Sequence, residues 1–168
     1  MQGYLRQMTQ DDLNLVLEWR NHPDTRKYMF SQHKISPEEH AQWFDRLGRD
    51  NSQTALLYIV NDVALGYVNF KKIEAPATAN WGFHLNHAAP KGTGKQFGQT
   101  ALNYAFEVIK LRKVCSQVLE FNEKSIKFHL NLGFQREETM QQQYFNGKNY
   151  YNIEFFRLLA SEWTGGTQ

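Results

Sequence analysis

Cysteine occurs once in the 168 residues, at Cys115, so the chain closes no internal disulfide, which fits a reducing cytoplasm. It has no run of 18 apolar residues, and Met1-Gln2-Gly3-Tyr4 begins strand-like rather than as a basic-plus-apolar signal, so neither a membrane span nor a secretory leader is expected. A dominant charge is missing too. The 19 Lys and Arg nearly balance the 17 Asp and Glu, leaving +2 without the basic stripe of a nucleic-acid binder. None of the six histidines stands in a His-x-x-x-His spacing and there is no Cys-x-x-Cys, so no metal is expected. The length suits one domain, taken as residues 1–163, with a Gly/Thr-rich tail from Thr164 that is expected to be disordered.

What is present is a glycine loop, Lys91-Gly92-Thr93-Gly94-Lys95, at the head of a helical pattern. A strand that ends in such a turn and feeds a helix aims unpaired N–H groups at one point, where the helix dipole also favours negative charge. That is a diphosphate site. It is not a P-loop, because Gln96 follows Gly94-Lys95 and Ala89 stands where the earlier glycine belongs. Nor is it the dinucleotide fingerprint, whose last glycine arrives one residue late at Gly98.

Hydrophobic periodicity and turn residues give the element order β-α-α-β-β-β-α-β-α-β-β, an α+β domain on one mixed sheet. The first strand covers 3–8. A capping pattern at Thr9-x-x-Asp12 opens a helix that stops by Asn21, ahead of Pro23. Residues 22–35 are expected to be irregular. Ser36-Pro37-Glu38-Glu39 caps a second helix running to about Leu47. Strands at 55–60 and 63–71 turn at Asn61-Asp62, and a fourth strand spans 79–86. A helix from about 94 to 110 precedes a strand at 114–121. Asn122 caps a short helix that ends at Gly133. Two last strands, 134–145 and 149–158, turn at Asn146-Gly147.

This order, with the glycine loop after the fourth strand and Asn122, Ser125, Gly133 and Phe134 after the fifth, resembles the GNAT acyltransferase superfamily that binds acetyl-coenzyme A. The resemblance covers almost the whole chain. It implies a mainly antiparallel sheet of about seven strands, flanked by about four helices and splayed between the fourth and fifth strands. The family's Gln/Arg-x-x-Gly-x-Gly/Ala motif reads here as Lys91-x-x-Gly94-x-Gln96, and its usual tyrosine is His129. Within the superfamily, Trp19-Arg20-Asn21-His22-Pro23-Asp24, Tyr28-Met29-Phe30 and Glu38-Glu39-His40-x-x-Trp43-Phe44 resemble the N-acetyltransferases of pseudaminic acid biosynthesis. Those enzymes acetylate the 4-amino group of a UDP-linked 4-amino-4,6-dideoxy sugar.

By this resemblance acetyl-CoA is the cosubstrate, held by Lys91, Gly92, Thr93, Gly94, Lys95, Gln96, Asn122 and Ser125. A backbone N–H near Leu85-Asn86 would take the carbonyl. His129 stands where the family places the acid for the departing thiolate, with Tyr28 or a bound water as alternatives. The base is left open between Glu120 and His84, which both lie beside the cleft, where a carboxylate could bind or deprotonate an ammonium group. Glu120 is assigned chiefly to positioning the acceptor, and water is a sufficient proton relay. Arg20, Met29, Phe30, His40, Phe44 and Trp81 are candidates for the acceptor pocket, with cations for a diphosphate and aromatic faces for uracil or the 6-methyl group. Core packing would account equally for Phe44 and Trp81.

The expected partner is a small nucleotide sugar, with no nucleic acid and no membrane. A homodimer is plausible, because the last strands of such domains often pair across subunits. Two other readings stay open: an N-terminal acetyltransferase for ribosomal proteins or peptides, and a coenzyme A-binding module without catalysis.

Overall fold

The computed structural model describes residues 3–165, and residues 166–168 of the expected tail lie outside the described residues. Strands β1 (Tyr4–Gln7), β2 (Gln53–Val60), β3 (Val63–Lys72), β4 (Thr78–Leu85), β5 (Lys113–Leu119), β6 (Gln135–Phe145) and β7 (Tyr150–Leu159) form one sheet. Their order is β1-β2-β3-β4-β5-β7-β6. Each neighbouring pair is antiparallel except β4–β5, which is parallel. The helices are α1 (Leu13–Asn21), α2 (Pro23–Arg26), α3 (Pro37–Leu47), α4 (Thr93–Glu107) and α5 (Glu123–Leu132). None among the described residues is long and apolar enough to cross a membrane.

Among the described residues there are thus five α-helices where the sequence suggested about four. The added one is α2, inside the stretch expected to be irregular. His22 supplies its cap, the imidazole Nδ1 accepting the Asp24 N–H at 3.1 Å, and Pro23 at the first helical position fixes φ. Histidine is not among the usual capping residues, so the start signal was not visible. The expected cap of α3 forms, with Ser36 Oγ accepting the Glu39 N–H at 3.1 Å. At the head of α1, Thr9 N–H donates to Asp12 Oδ2 at 2.8 Å, but Gln10–Asp12 first make a 3-10 turn. Arg6 clamps Asp12 with two bonds of 2.8 and 2.9 Å. Both expected hairpins close on left-handed residues, Asn61 and Asp62 at φ 52° and 65°, and Gly147 at φ 95°.

Alternation along the strands divides the core into two layers. On one face Leu56, Val68, Trp81, Val114 and Phe156 pack under α4 and α5 with Phe97, Ala101 and Leu102. On the other, Leu57, Ile59 and Tyr67 pack under α1 and α3 with Val16 and Trp19. Gly98 sets how closely α4 approaches α5: a Cβ there would stand 2.8 Å from Leu132 Cδ1 and 3.0 Å from Phe128 Cζ.

Candidate active site

The site begins where the sheet opens. β4 and β5 pair over three rungs only, Thr78–Asn80 against Lys113–Cys115. Beyond Asn80, β4 continues to Leu85 on β3, while β5 stays paired with β7 from Lys113 to Leu119. β5 is thus carried away from β4, and a wedge forms between Trp81–Leu85 and Ser116–Leu119. The Ala77 carbonyl faces β5, accepting from Lys113 N–H, and the Asn86 N–H donates to Leu65 O of β3 at 2.9 Å. Alternation therefore turns the N–H groups of Phe83 and Leu85 into the wedge. Of the two expected carbonyl holders Leu85 keeps the geometry. Asn86 does not: its N–H is engaged by β3, its Nδ2 donates to Ala64 O, and its Oδ1 accepts from Ala88 N–H.

The N-terminus of α4 faces the same opening. Gly92 is left-handed, φ 92°, and lets the chain turn into the helix, where Thr93 Oγ1 donates to Pro90 O at 2.6 Å. The first-turn N–H groups of an α-helix have no partner within it, and with Thr93 N–H donating to Pro90 O this leaves those of Gly94 and Lys95 for an anion. A Cβ on Gly94 would lie 3.6 Å from Leu85 Cδ1 and 3.9 Å from Phe128 Cε1, so the bare side of Gly94 looks into the wedge. Gln96 sits about 200° further round the helix. It lines a hollow of about 180 Å³ that Tyr58, Val60 and Leu65 form with the loop residues Lys91, Gly92 and Thr93. The bulky residue in the motif's small position therefore turns away from the approach to Gly94. Lys91 on the loop and Lys95 in the first turn of α4 are exposed, and Lys124 of α5 lies within electrostatic reach of His87. These features suit a diphosphate and a thioester carbonyl together.

Across the opening, Asn122 Oδ1 accepts the Ser125 N–H at 3.3 Å, so its side chain caps α5. Ser125 O accepts from His129 Nδ1 at 2.7 Å, and Trp81 Nε1 donates to His129 Nε2 at 3.0 Å. His129 is 0% exposed, stacked on Phe156 at 5.5 Å. Burial pushes its imidazole down to about 4, outweighing the Ser125 carbonyl. Both nitrogens are occupied and the ring is neutral, so His129 is not placed to protonate a thiolate. Its geometry corrects that expectation: it fastens α5 to Trp81 of β4. Trp81, 6% exposed among Phe70, Phe83, Phe128 and Phe134, is on the α4/α5 side and is a core residue rather than an acceptor wall.

The opposite face is less finished. Arg20 Nη2 donates to Ser31 O at 2.7 Å, but its Nη1 is buried without a partner. His84, stacked on Tyr67 at 5.5 Å, has a buried Nδ1 without a partner. Its imidazole is pushed down to about 3, first by burial and then by Arg20, His40 and His87. Tyr28, Phe121 and Tyr151 form a chain of rings, 6.1 and 4.8 Å apart, and Phe30 meets Tyr144 at 5.9 Å. Met29 and Phe30 thus sit in a segment that meets β6 through Phe30 and the end of β5 through Tyr28. Phe121, Tyr144 and Tyr151 were missed by the sequence reading, since nothing in strand periodicity says which side of a splay a ring will line.

Two more expected acceptor residues belong to packing. His40 is buried, with Nε2 donating to Leu13 O at 2.9 Å and its ring stacked on Trp43, so it joins α3 to α1. Phe44 packs into the α1/α3 core. Glu120 Oε1 accepts the Asn152 N–H at 2.9 Å while its own N–H donates to Asn152 O, so the exposed carboxylate ties the end of β5 to β7. That contact gives Glu120 a place in the fold, between two strands. Next to it β6 bulges at Gln141–Gln143, with Gln142 N–H donating to Asn152 Oδ1.

Among the described residues one trio, His22, Asp24 and His87, brings metal-ligand atoms within 4.8 Å of one another. The two rings stack at 3.6 Å and 22°, which points their in-plane lone pairs side by side rather than at one centre. His87 Nε2 is bonded to Thr25 Oγ1 at 3.1 Å. The trio braces α2 against the β4–α4 loop.

Residues 4–135 match the family model described as the acetyltransferase (GNAT) domain. Acetyltransferase PseH of Campylobacter jejuni is 29% identical over 125 residues, covering 73% of this chain and 76% of that protein. Spermidine N(1)-acetyltransferase of Vibrio cholerae is 23% identical over 167 residues, 95% and 94% of the two chains. The crystal structure of spermidine N-acetyltransferase from Vibrio cholerae in complex with CoA and spermine superposes with a TM-score of 0.87 at 21% identity, covering 96% and 97%.

Proposed function

Because the chain belongs to the GNAT acetyltransferase family, and so is an acetyl-CoA-dependent N-acetyltransferase, we propose that its acceptor is the 4-amino group of a UDP-linked 4-amino-4,6-dideoxy sugar, as in pseudaminic acid-type nonulosonate biosynthesis. The reaction is direct transfer in a ternary complex, with acetyl-CoA entering along α4 and α5 and the acceptor from the α1/α3 face. The observation that carries this reading is the unpartnered, buried Nη1 of Arg20. An orphaned guanidinium nitrogen in a partly dry site is matched by an anion, and a nucleotide sugar brings a diphosphate. The rings of Tyr28, Phe121 and Tyr151 supply flat apolar surface for a base or a 6-methyl group.

A polycation would need carboxylates in their place. Those nearby are engaged: Asp24 with Lys27 at 3.8 Å, Glu39 with His33 at 3.0 Å, and Glu120 with the Asn152 N–H. Thiol release from acetyl-CoA is to be compared with the UDP-amino sugar, spermidine and a peptide N-terminus as acceptors. Activity with the sugar nucleotide alone supports the proposal. Activity with spermidine or peptide alone overturns it, and silence with all three favours a binding module. A homodimer would form through the outer edge of β6, where Phe145 is exposed beside Tyr150 of β7. Sedimentation velocity showing only monomer at working concentration removes that part.

A further inference from the structure

His84 stands next to last on β4, on the α1/α3 face of the sheet, with its ring flat against Tyr67 of β3 at 17°. Nδ1 is sealed off without a partner, whereas the residue as a whole is partly exposed. Two residues back on the same face, Gly82 is exposed, and nothing lies within 4 Å of where its Cβ would be. An exposed glycine in the middle of a central strand leaves open ground beside the imidazole, at the place where β4 and β5 part. The residue after His84 is Leu85, whose N–H points into that gap. The charged and titratable groups acting on His84 are Arg20 from α1, His40 from α3 and His87 from the β4–α4 loop, with Tyr67 beneath it. No carboxylate is among them. The one carboxylate assigned to the cleft from sequence, Glu120, already accepts a backbone N–H.

We propose that His84 receives the proton of the acceptor amine, through the ring nitrogen on its open side. The inference rests on the acceptor entering from the α1/α3 face, as argued above. The amine lone pair forms the C–N bond at the thioester carbon, and its N–H proton passes to the imidazole. The C–S pair leaves with sulfur as coenzyme A thiolate, and the imidazolium then gives up the proton, through solvent, to that thiolate. In the free protein the ring is neutral at every pH where an amine is nucleophilic, so its lone pair is available. An acceptor anion on Arg20 removes one of the charges acting on the ring, and so makes it more basic once the acceptor is bound.

The test uses the full chain with whichever amine the wild type acetylates. A protein that takes spermidine and refuses the sugar nucleotide overturns the acceptor assignment, yet leaves this experiment intact. His84→Phe keeps the stack on Tyr67 and should lower kcat by about 100-fold, a loss of the size general-base removal brings, with the KM for acetyl-CoA unchanged. His84→Gln, polar but unable to take a proton, should hold the acceptor KM within about threefold without recovering kcat. Added imidazole should restore part of the turnover of His84→Gly. Acetyl-CoA affinity by calorimetry certifies each fold, and His84→Gln decides alone if the other two do not fold. A kcat within about twofold of wild type in His84→Gln, or failure of imidazole to raise the rate of a folded His84→Gly, makes His84 a packing residue and overturns the proposal.

Discussion

Two histidines on either side of β4 show how differently its two faces are built. His129 lies in the layer under α5, donating to the Ser125 carbonyl and accepting from the Trp81 indole, so each nitrogen has a partner and the ring carries no reactive lone pair. His84, projecting from β4 itself towards α1 and α3, has one nitrogen sealed and orphaned, beside a guanidinium that is also half-satisfied. Both rings are held neutral by burial. What separates them is satisfaction rather than depth. Fully paired buried polar groups fix a core, whereas unpaired ones cost stability and persist where a ligand completes them. The α4/α5 side is therefore a finished scaffold that presents backbone N–H groups to acetyl-CoA, and the α1/α3 side is the unfinished one.

The largest effect should come from the backbone cradle. Gly94→Asp places a carboxylate where the bare side of the glycine looks into the wedge. The space around the would-be Cβ is ordinary, 3.6 Å to Leu85 Cδ1, and an acid in the first turn of a helix is favourable to the fold. Acetyl-CoA affinity by calorimetry should fall by at least about 100-fold, roughly 2.7 kcal/mol, while the melting temperature holds. Unchanged affinity would remove the diphosphate assignment from this loop.

Arg20→Met comes next and probes the other face. It keeps much of the apolar stem and removes the orphaned nitrogen, so the KM for a nucleotide-sugar acceptor should rise by about tenfold, with the KM for acetyl-CoA unmoved. The asymmetry is the point of the measurement: equal changes in both constants would mean that the two faces do not divide the substrates between them.

The sequence made some of this division legible and hid the rest. The glycine loop, the α5 cap at Asn122 and the turns at Asn61-Asp62 and Asn146-Gly147 are local devices, written in a few neighbouring residues, and they stand where spacing put them. The splay was implied only by resemblance, because it depends on β5 pairing with β7 more fully than with β4, a choice made 40 residues away. The partners of His129, Trp81 and His40 were equally out of reach. Each is a polar ring at helical or strand spacing, and whether it faces ligand or core is decided by another element, Ser125 with Trp81 in one case and the Leu13 carbonyl in another. Arg20 was legible as a cation, but not as one with an unmet bond.

His129→Leu tests whether the finished face is structural. Removing the imidazole leaves the buried Trp81 N–H unpaired, which should cost about 2 kcal/mol at pH 8. Turnover of the folded protein should stay within about twofold. A collapse of kcat with acetyl-CoA binding intact would return His129 to the role of thiolate acid. The pH dependence adds a second check. The native ring titrates at about 4, below the ordinary 6.5, so its contribution is complete above about pH 6.5 and is lost as pH falls towards 4, because the unfolded chain takes up the proton first. Leucine has no such slope. The gap between variant and wild type in urea titrations should therefore shrink as pH falls below 6.5 and close before pH 4, whereas His84, its imidazole pushed down to about 3, destabilises both proteins alike.

The smallest effect is expected at Glu120→Gln. The carboxylate is exposed, and the contact that gives it a place in the fold is the bond its Oε1 accepts from Asn152 N–H at 2.9 Å. An amide oxygen accepts the same bond, so the tie between β5 and β7 and the bulge that leans on Asn152 both persist. What glutamine cannot do is take a proton. If the acceptor amine is deprotonated by His84 or by water, kcat should move by less than about twofold and the pH–rate profile should keep its shape. A loss of about 100-fold would put the base on the β5 side of the wedge instead, and would make the unpaired nitrogen of His84 a mark of strain rather than of chemistry.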